Sequence, residues 1–279
     1  VSFTVVPVTP CDNDATLDAF RRAIRENTRM FICTQASNVW GIRVPVERLA
    51  ALAHVYGAEI CVDAAQSGGV VPIRAAEDNI DYLCCAGHKG LYGPMGTGLL
   101  ITGRGEKLKS LIQGGTGTLA LQLEQPRDMP EYLESGTQNV PGILALGAGI
   151  DFVRARGEDN LRQAEMRHVR RIHAAFSRMP HVKLYTPPPD MRYFVPVLGF
   201  NVRGMASEAV GDYLAKHGIA VRCGFHCAPF AHRKMGTDSD ACGGAVRVSP
   251  SAFTDDRQVD GLIRAVSALQ KAPAVRGQK

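Results

Sequence analysis

The sequence predicts an α/β fold, with a mainly parallel sheet in a large domain over residues 1–150 and a smaller α+β domain over residues 151–279. Three observations carry this. Short apolar runs at 30–33, 60–62 and 80–86, each bounded by turn residues, read as buried strands. Helical patterns stand among them, and a βαβ rhythm makes neighbouring strands parallel. From Asp151 the character changes to a stretch rich in arginine and alanine, followed by separate strands and helices.

Taken in order, residues 2–8 (SFTVVPV) alternate and predict a strand. Asp14 is placed to cap a helix with Leu17, Phe20 and Ile24 on its apolar face. The run 30–33 ends at Thr34. Pro45 and Gly57 bracket a helix with Val46, Leu49 and Ala53 inward. The run 60–62 ends at Asp63, and the run 80–86 ends at Gly87-His88-Lys89-Gly90. A third run, 99–101, follows a loop carrying Gly90, Gly93, Gly96 and Gly98. Leu108, Leu111 and Ile112 predict a short helix. Pro141 starts another, with Leu144, Ala148 and Phe152 as its face. Residues 154–178 read as a long, mostly exposed helix on which His168 and His173 are solvated. Three prolines at 187–189 mark a loop, and 194–201 reads as a strand. Ser207 opens a helix with Val210, Tyr213 and Leu214 inward, closed by Gly218. Thr254 is placed to cap a final helix with Val259, Leu262, Ile263, Val266 and Leu269 on one face. The tail from Ala272 is expected to fray.

Composition narrows the function classes. Hydrophobic residues make up 45% and charged residues 21%, ordinary values for a soluble globular chain. No apolar run reaches membrane-spanning length and no signal-peptide pattern opens the sequence, so the expected location is cytoplasmic. The net charge of +5 is spread along the chain rather than gathered in a block, which argues against nucleic acid or a membrane as partner. The eight cysteines are irregularly spaced and read as reduced thiols. Cys11, Cys33, Cys61, Cys84 and Cys85 lie in or beside apolar strands and read mostly as core residues.

Asp63 and Lys89 both fall at the carboxyl ends of predicted strands, where open α/β sheets hold ligands. An acid and an amine facing one pocket suit pyridoxal 5'-phosphate (PLP). A lysine carries it as a Schiff base, and a carboxylate beside the ring nitrogen keeps the ring protonated. For two isolated residues, a surface lysine and a strand-end acid would be the better reading. Their setting, VDAAQS followed by GHKGLYGPMGTG, resembles the signature of the class V PLP-dependent aminotransferase family, in its cysteine desulfurase and selenocysteine lyase group.

The resemblance extends over nearly the whole chain and implies the type I fold of PLP-dependent transferases. It implies that Lys89 bears the cofactor and takes the substrate Cα proton, that Asp63 faces the ring nitrogen, and that Gln66 bonds the phenolic oxygen. His88 would neighbour the phosphate. Asn38, in TQASNVWGIRVPVERLA, would lie beside cofactor and substrate. Thr137, in ESGTQNVPG, matches the threonine that reaches the phosphate of the neighbouring subunit in a homodimer; taken alone, the segment reads as a turn before a helix. Two departures stand out. Ala86 replaces the family's usual serine or threonine. The family pattern is also entered partway, so the large domain is expected to lack its N-terminal portion, with the Gly-Thr-rich phosphate turn and a ring-stacking histidine.

AVRCGFHCAPFAHRKMGT resembles the mobile loop of cysteine desulfurases. That match makes Arg222, Gly224 and His226 the frame and Cys227 the nucleophile, with Arg222 and a protonated His226 expected to favour the thiolate. A buried inert thiol is one alternative. Zinc on Cys223, His226, Cys227 and Cys242 is another, but the spacing is not a common zinc pattern and no metal is expected. GGAVRVSPSAFTD resembles the segment whose arginine, here Arg247, binds the substrate α-carboxylate; alone it could pair a surface acid. The implied activity is cysteine desulfurase, with L-cysteine giving alanine and a persulfide on Cys227, or selenocysteine lyase. The rivals are another class V reaction, transamination or β-elimination, and an inactive truncated homologue. The implied partners are L-cysteine or selenocysteine, a second copy of the chain and a sulfur-acceptor protein.

Overall fold

A computed structural model describes residues 1–119 and 121–269. Its contacts divide the chain into two units. The first comprises Val1–Val6, Leu17–Thr34 and Pro45–Ala155. The second comprises Pro7–Thr16, Gln35–Val44 and the described residues from Arg156 onward. Ahead of the sheets stands helix α1 (Asn13–Ala23). Among the described residues no helix is long and apolar enough to cross a membrane.

The first unit is built on four strands in the order β1 (Met30–Thr34), β2 (Glu59–Asp63), β3 (Tyr82–Ala86) and β4 (Gly98–Thr102). The first three are parallel, as the βαβ rhythm predicts, and β4 is antiparallel. Side chains alternate across a sheet. Phe31, Ile60, Val62 and Leu83 are therefore buried on one face, while Ile32 on the other is 73% exposed. Helix α2 (Val46–Val55) packs against β1 and β2, burying Val46, Leu49, Ala50, Leu52 and Ala53. Register aligns Thr34 with Asp63 and Asp63 with Cys84, so β1 and β2 end level and β3 runs on past them to Ala86 at the same edge of the sheet.

Asp81, just before β3, is buried with its side chain 3% exposed. It accepts from the Ile60 amide at 2.8 Å, meets His54 Nε2 at 2.9 Å and pairs with Arg104 Nε at 2.7 Å. Burial alone would raise this carboxyl; the hydrogen bonds of His54 and Ile60 and the charges of His54 and Arg104 outweigh it and hold the group below its ordinary range.

Helix α3 (Val140–Arg156) buries Gly142, Leu146, Gly149 and Val153, not the expected face of Leu144 and Ala148. The reason is close backbone approach. A Cβ on Gly149 would lie 2.3 Å from the Leu91 carbonyl oxygen, so the helix rests on the loop after Lys89 through a glycine that hydrophobic periodicity does not count. A similar contact joins the loop after Asp63 to the turn bearing Lys89. Gly69 has φ +76°, and a Cβ there would sit 2.1 Å from the Gly90 carbonyl oxygen.

The second unit has an antiparallel sheet in the order β5 (Val182–Leu184), β6 (Leu198–Val202), β8 (Ala245–Val248) and β7 (Arg222–Gly224). Helices α4 (Glu158–Phe176), α5 (Ser207–Lys216) and α7 (Asp256–Ala268) pack with it, and the short α6 (Pro229–Met235) follows β7. The core holds Phe176 against Phe200, with ring centroids 4.8 Å apart, together with Leu198, Leu214, Val246 and Val266. Val39, Trp40 and Ile42 join this core.

Several expectations need correction. Residues 2–8 form no strand and are mostly exposed, because no neighbouring strand pairs with them among the described residues. Leu111 and Ile112 are 97% and 73% exposed; only a 3-10 turn, Gly105–Lys107, forms nearby, since so short a stretch has no surface to pack on. The stretch 154–178 is not one exposed helix. It breaks at Gly157, and α4 buries Leu161, Met166, Val169, Ile172 and Phe176 together with Arg162, while Arg167, Arg170 and Arg171 face outward. His168 and His173 share the inner face at 3% and 6% exposure, His173 Nε2 bonding the Thr186 carbonyl at 3.1 Å. Asp12, not Asp14, caps α1, accepting from the Ala15 amide at 2.8 Å. Asp255, not Thr254, caps α7, in a capping box with Gln258. The strand expected at 194–201 starts later, at Leu198, with Phe194 in an isolated bridge to Ile42. The tail from Ala272 lies outside the described residues.

Two stability predictions arise. Asp81→Ala removes the acceptor of the buried Ile60 amide and of Arg104 Nε, while Arg104 keeps Glu59 at 3.0 Å and stays partly exposed, so it should cost about 1–3 kcal/mol in urea unfolding at pH 7. The depressed carboxyl contributes stability above its unfolded pKa of about 3.9 and loses it as pH falls through the folded value, so the gap between variant and wild type should narrow in strong acid. Gly69→Ala combines a left-handed backbone with a clash against Gly90 and should cost about 1–3 kcal/mol, read as a fall in Tm.

Candidate active site

In the first unit Asp63 is the last residue of β2, and Lys89 lies three residues beyond the end of β3 on the turn 87–90. Because β2 and β3 are parallel, acid and amine leave the same end of the sheet. Asp63 Oδ1 accepts from the Ala65 amide at 2.9 Å and Oδ2 from the Thr34 hydroxyl at 3.3 Å. These bonds orient the carboxylate. The Lys89 turn is pinned in three places: the Gly87 amide donates to Thr97 O at 3.0 Å, the Tyr92 amide to Lys89 O at 2.9 Å, and the Gly93 amide to Gly87 O at 2.8 Å. The Lys89 and His88 side chains are exposed and Gln66 is half-buried on the loop after Asp63. Ala86 ends β3. Thr137 is exposed ahead of α3, and Asn139 caps that helix, accepting from the Gly142 amide at 3.1 Å. Burial pushes the thiols of Cys33, Cys61 and Cys85 up, to about 12, 11 and 11, and so disfavours their thiolates at neutral pH.

The second unit gathers the remaining candidates. Cys227 is exposed at the tip of a turn closed by the Ala228 amide donating to Phe225 O at 2.9 Å. Both central residues are left-handed, His226 at φ +50° and Cys227 at φ +59°. Arg222, on β7, brings Nη2 to 3.9 Å from Cys227 Sγ. Its partner across the ladder is Arg247 on β8. Arg247 Nη1 donates to the Asn38 carbonyl at 2.9 Å, and its Nε is buried without a partner. Burial, then the charge of Arg222, pushes Arg247 below its ordinary value. Among the described residues no carboxylate pairs with either arginine, so the two like charges form a locus suited to an anion. Asn38 also donates its Nδ2 to the His226 carbonyl at 2.6 Å, which ties it to the cysteine turn as well as to Arg247.

The expectation of a protonated His226 is overturned. The ring is 3% exposed with Nε2 2.9 Å from the Ala245 carbonyl, and burial pushes its pKa down to about 4. At neutral pH it is uncharged, and the cation beside the thiol is Arg222. The sequence reading missed the hydroxyl of Thr34 on Asp63 and the glycines that bring the two loops together. The register of β1 with β2 is the only signal for the former, and it appears only once the strands pair.

The family model described as aminotransferase class-V matches residues 2–262. A cysteine desulfurase of Pectobacterium atrosepticum is 30% identical over 275 residues, which are 95% of this chain and 65% of the relative. One from Escherichia coli is 32% identical over 229 residues, covering 80% and 55%. A probable cysteine desulfurase of Methanothermobacter thermautotrophicus is 31% identical over 267 residues, covering 92% and 65%. Among solved structures, a cysteine desulfurase from Escherichia coli has a TM-score of 0.80 at 26% identity, covering 91% of this chain and 62% of that one. The apo cysteine desulfurase of Thermococcus onnurineus has a TM-score of 0.78 at 28% identity, covering 91% and 63%. The chain thus spans between 55% and 65% of the length of these curated relatives. The match runs through both sheet ends and through the Cys227 turn, and the fold is the type I fold of PLP-dependent transferases: the chain belongs to the class V aminotransferase family.

Proposed function

We propose that the chain serves a PLP-dependent cysteine desulfurase that converts L-cysteine to L-alanine and holds the sulfur as a persulfide on Cys227. The observation that carries this reading is the exposed Cys227 thiol, presented on a left-handed turn 3.9 Å from Arg222. A thiol so placed has no role in plain transamination, whereas sulfur abstraction requires one.

The donor set fits the cofactor. An oriented carboxylate and a lysine leave the same sheet end, and the first retains lone pairs beyond those used by Ala65 and Thr34. When bound, PLP supplies an electron sink that makes the substrate Cα acidic. Lys89 tethers the cofactor and takes the Cα proton. Asp63 holds a proton on the ring nitrogen, Gln66 bonds the phenolic oxygen and His88 neighbours the phosphate. Arg247 offers its unpaired guanidinium edge to the substrate α-carboxylate, with Asn38 and Arg222 beside it. The Cys227 thiolate attacks the substrate sulfur. An S–S bond forms, the Cβ–S bond breaks, and its electron pair leaves with carbon, which is protonated to give alanine. Arg222 stabilises the attacking anion.

In this reading residues 1–150 are the PLP-binding domain and 151–279 the small domain bearing the cysteine turn. Thr137 reaches the phosphate of a second copy in a homodimer, and a cytoplasmic acceptor protein collects the sulfur. Selenocysteine meets the same groups and is the companion substrate to assay.

With PLP and L-cysteine, the wild-type chain should release alanine and sulfane sulfur in equal amounts, and Cys227→Ala should lose both. Unchanged release in that variant would remove Cys227 from the role; pyruvate would assign β-elimination, and a keto-acid pair transamination. Lys89→Ala should lose the yellow absorbance that the wild-type chain acquires on adding PLP. Arg247→Lys exchanges a fork for a point charge and should raise KM for cysteine about tenfold or more, with a smaller change in kcat.

A further inference from the structure

The turn bearing Cys227 is costly to form. Two consecutive left-handed residues at the centre of a four-residue turn are ordinarily Asn-Gly or Gly-Gly, because a Cβ at either position crowds the backbone. Here they are His226 and Cys227. Such a conformation persists only where its surroundings over-determine it.

Those surroundings centre on a residue that the proposed chemistry does not use. His232, on α6, is 0% exposed. Its ring stacks on that of His226, with centroids 5.7 Å apart and planes at 21°. It meets Phe225, the residue that opens the turn, edge-on at 5.5 Å and 81°. Trp40 lies against it at 5.6 Å. Its orientation is set by Thr237, itself 0% exposed: His232 Nδ1 lies 2.8 Å from Thr237 Oγ1, and that hydroxyl also donates to the His232 carbonyl at 3.3 Å. One imidazole thus touches the first two residues of the strained turn and is locked by a side chain five residues further on.

We propose that His232, oriented by Thr237, is a positioning residue that holds the His226–Cys227 turn in its left-handed conformation and so presents the Cys227 thiol beside Arg222. Its ring contacts the rings of Phe225 and His226, so it acts through the frame of the thiol. Burial lowers both histidines, which leaves two neutral rings in the stack and no like-charge repulsion between them. A hydrophobic residue of similar volume would fill the site without fixing the ring plane on which His226 leans. The inference rests on the proposed function only for the meaning of Cys227 as nucleophile; the geometry of the turn does not depend on it.

Hydrogen exchange followed by mass spectrometry on the 279-residue chain tests this. Peptides covering 225–228 are compared with peptides from β6 and β8. Thr237→Val and His232→Leu should each speed exchange in the turn at least tenfold while the sheet peptides stay at the wild-type rate. Thr237→Ser, which keeps the hydroxyl, should restore slow exchange. A wild-type rate in the turn of Thr237→Val would overturn the proposal, and so would an equal acceleration of turn and sheet, which would mean general destabilisation. Thr237→Val keeps the test decisive should His232→Leu fail to fold. Sulfur release by the wild-type and Cys227→Ala chains is scored separately, so failure of the functional reading leaves the exchange result standing.

Discussion

Backbone pressed against backbone at Gly69 and Gly90 is the constraint on which the first unit depends. Parallel pairing puts the carboxyl ends of β2 and β3 at one edge of the sheet, but that alone does not bring two loops together. The loop after Asp63 and the turn before Leu91 meet at a distance that excludes any side chain, since even a Cβ on Gly69 would fall 2.1 Å from the Gly90 carbonyl oxygen. From the other side, α3 presses on the same loop through Gly149 and Leu146. The acid and the amine are therefore carried on segments held by main-chain packing, which is stiffer than contacts among flexible side chains. Thr34 and the Ala65 amide then set the angle of the Asp63 carboxylate.

The second unit solves a different problem. It exposes a thiol, Cys227, so that thiol is not fixed by burial. The strain is placed in the turn itself and is supported from beneath. Asn38 takes the His226 carbonyl, Ala245 takes its ring, and the buried imidazole of His232 meets its face. Arg222 and Arg247 stand opposite each other on β7 and β8 without a carboxylate partner among the described residues. A fold that tolerates two adjacent guanidinium groups in this way carries an electrostatic cost that an anionic ligand would relieve.

Most elements were legible because burial imposes a period on the sequence. The runs at β1, β2 and β3, the helix between Pro45 and Gly57, and α5 after Ser207 all appear where the pattern puts them. The misreadings share a cause. Periodicity counts apolar side chains, and α3 buries a glycine face, so the pattern selected Leu144 and Ala148 on the wrong side. In α4 the abundance of arginine hid an inner face that includes His168 and His173. Both caps were misplaced by a residue or two because several acids and hydroxyls in a row compete for one helix terminus, and only the backbone geometry chooses among them.

The site divides in the same way. The sequence by itself determined the chemical inventory: an aspartate and a lysine at two strand ends, a Cys-bearing loop after a short strand, and an arginine on a late strand. Those assignments follow from local residue order, since strand ends and turn residues are local properties of a chain. The tertiary structure alone decided the state and support of these groups. His226 is neutral because of what surrounds it, not because of its neighbours in sequence. Asn38 is bound to Arg247 and to His226, partners 209 and 188 residues away, and the hydroxyl on Asp63 comes from a strand 29 residues earlier. Desolvation and long-range hydrogen bonding depend on what the folded chain brings near, and linear order does not encode that in any pattern a reader can count.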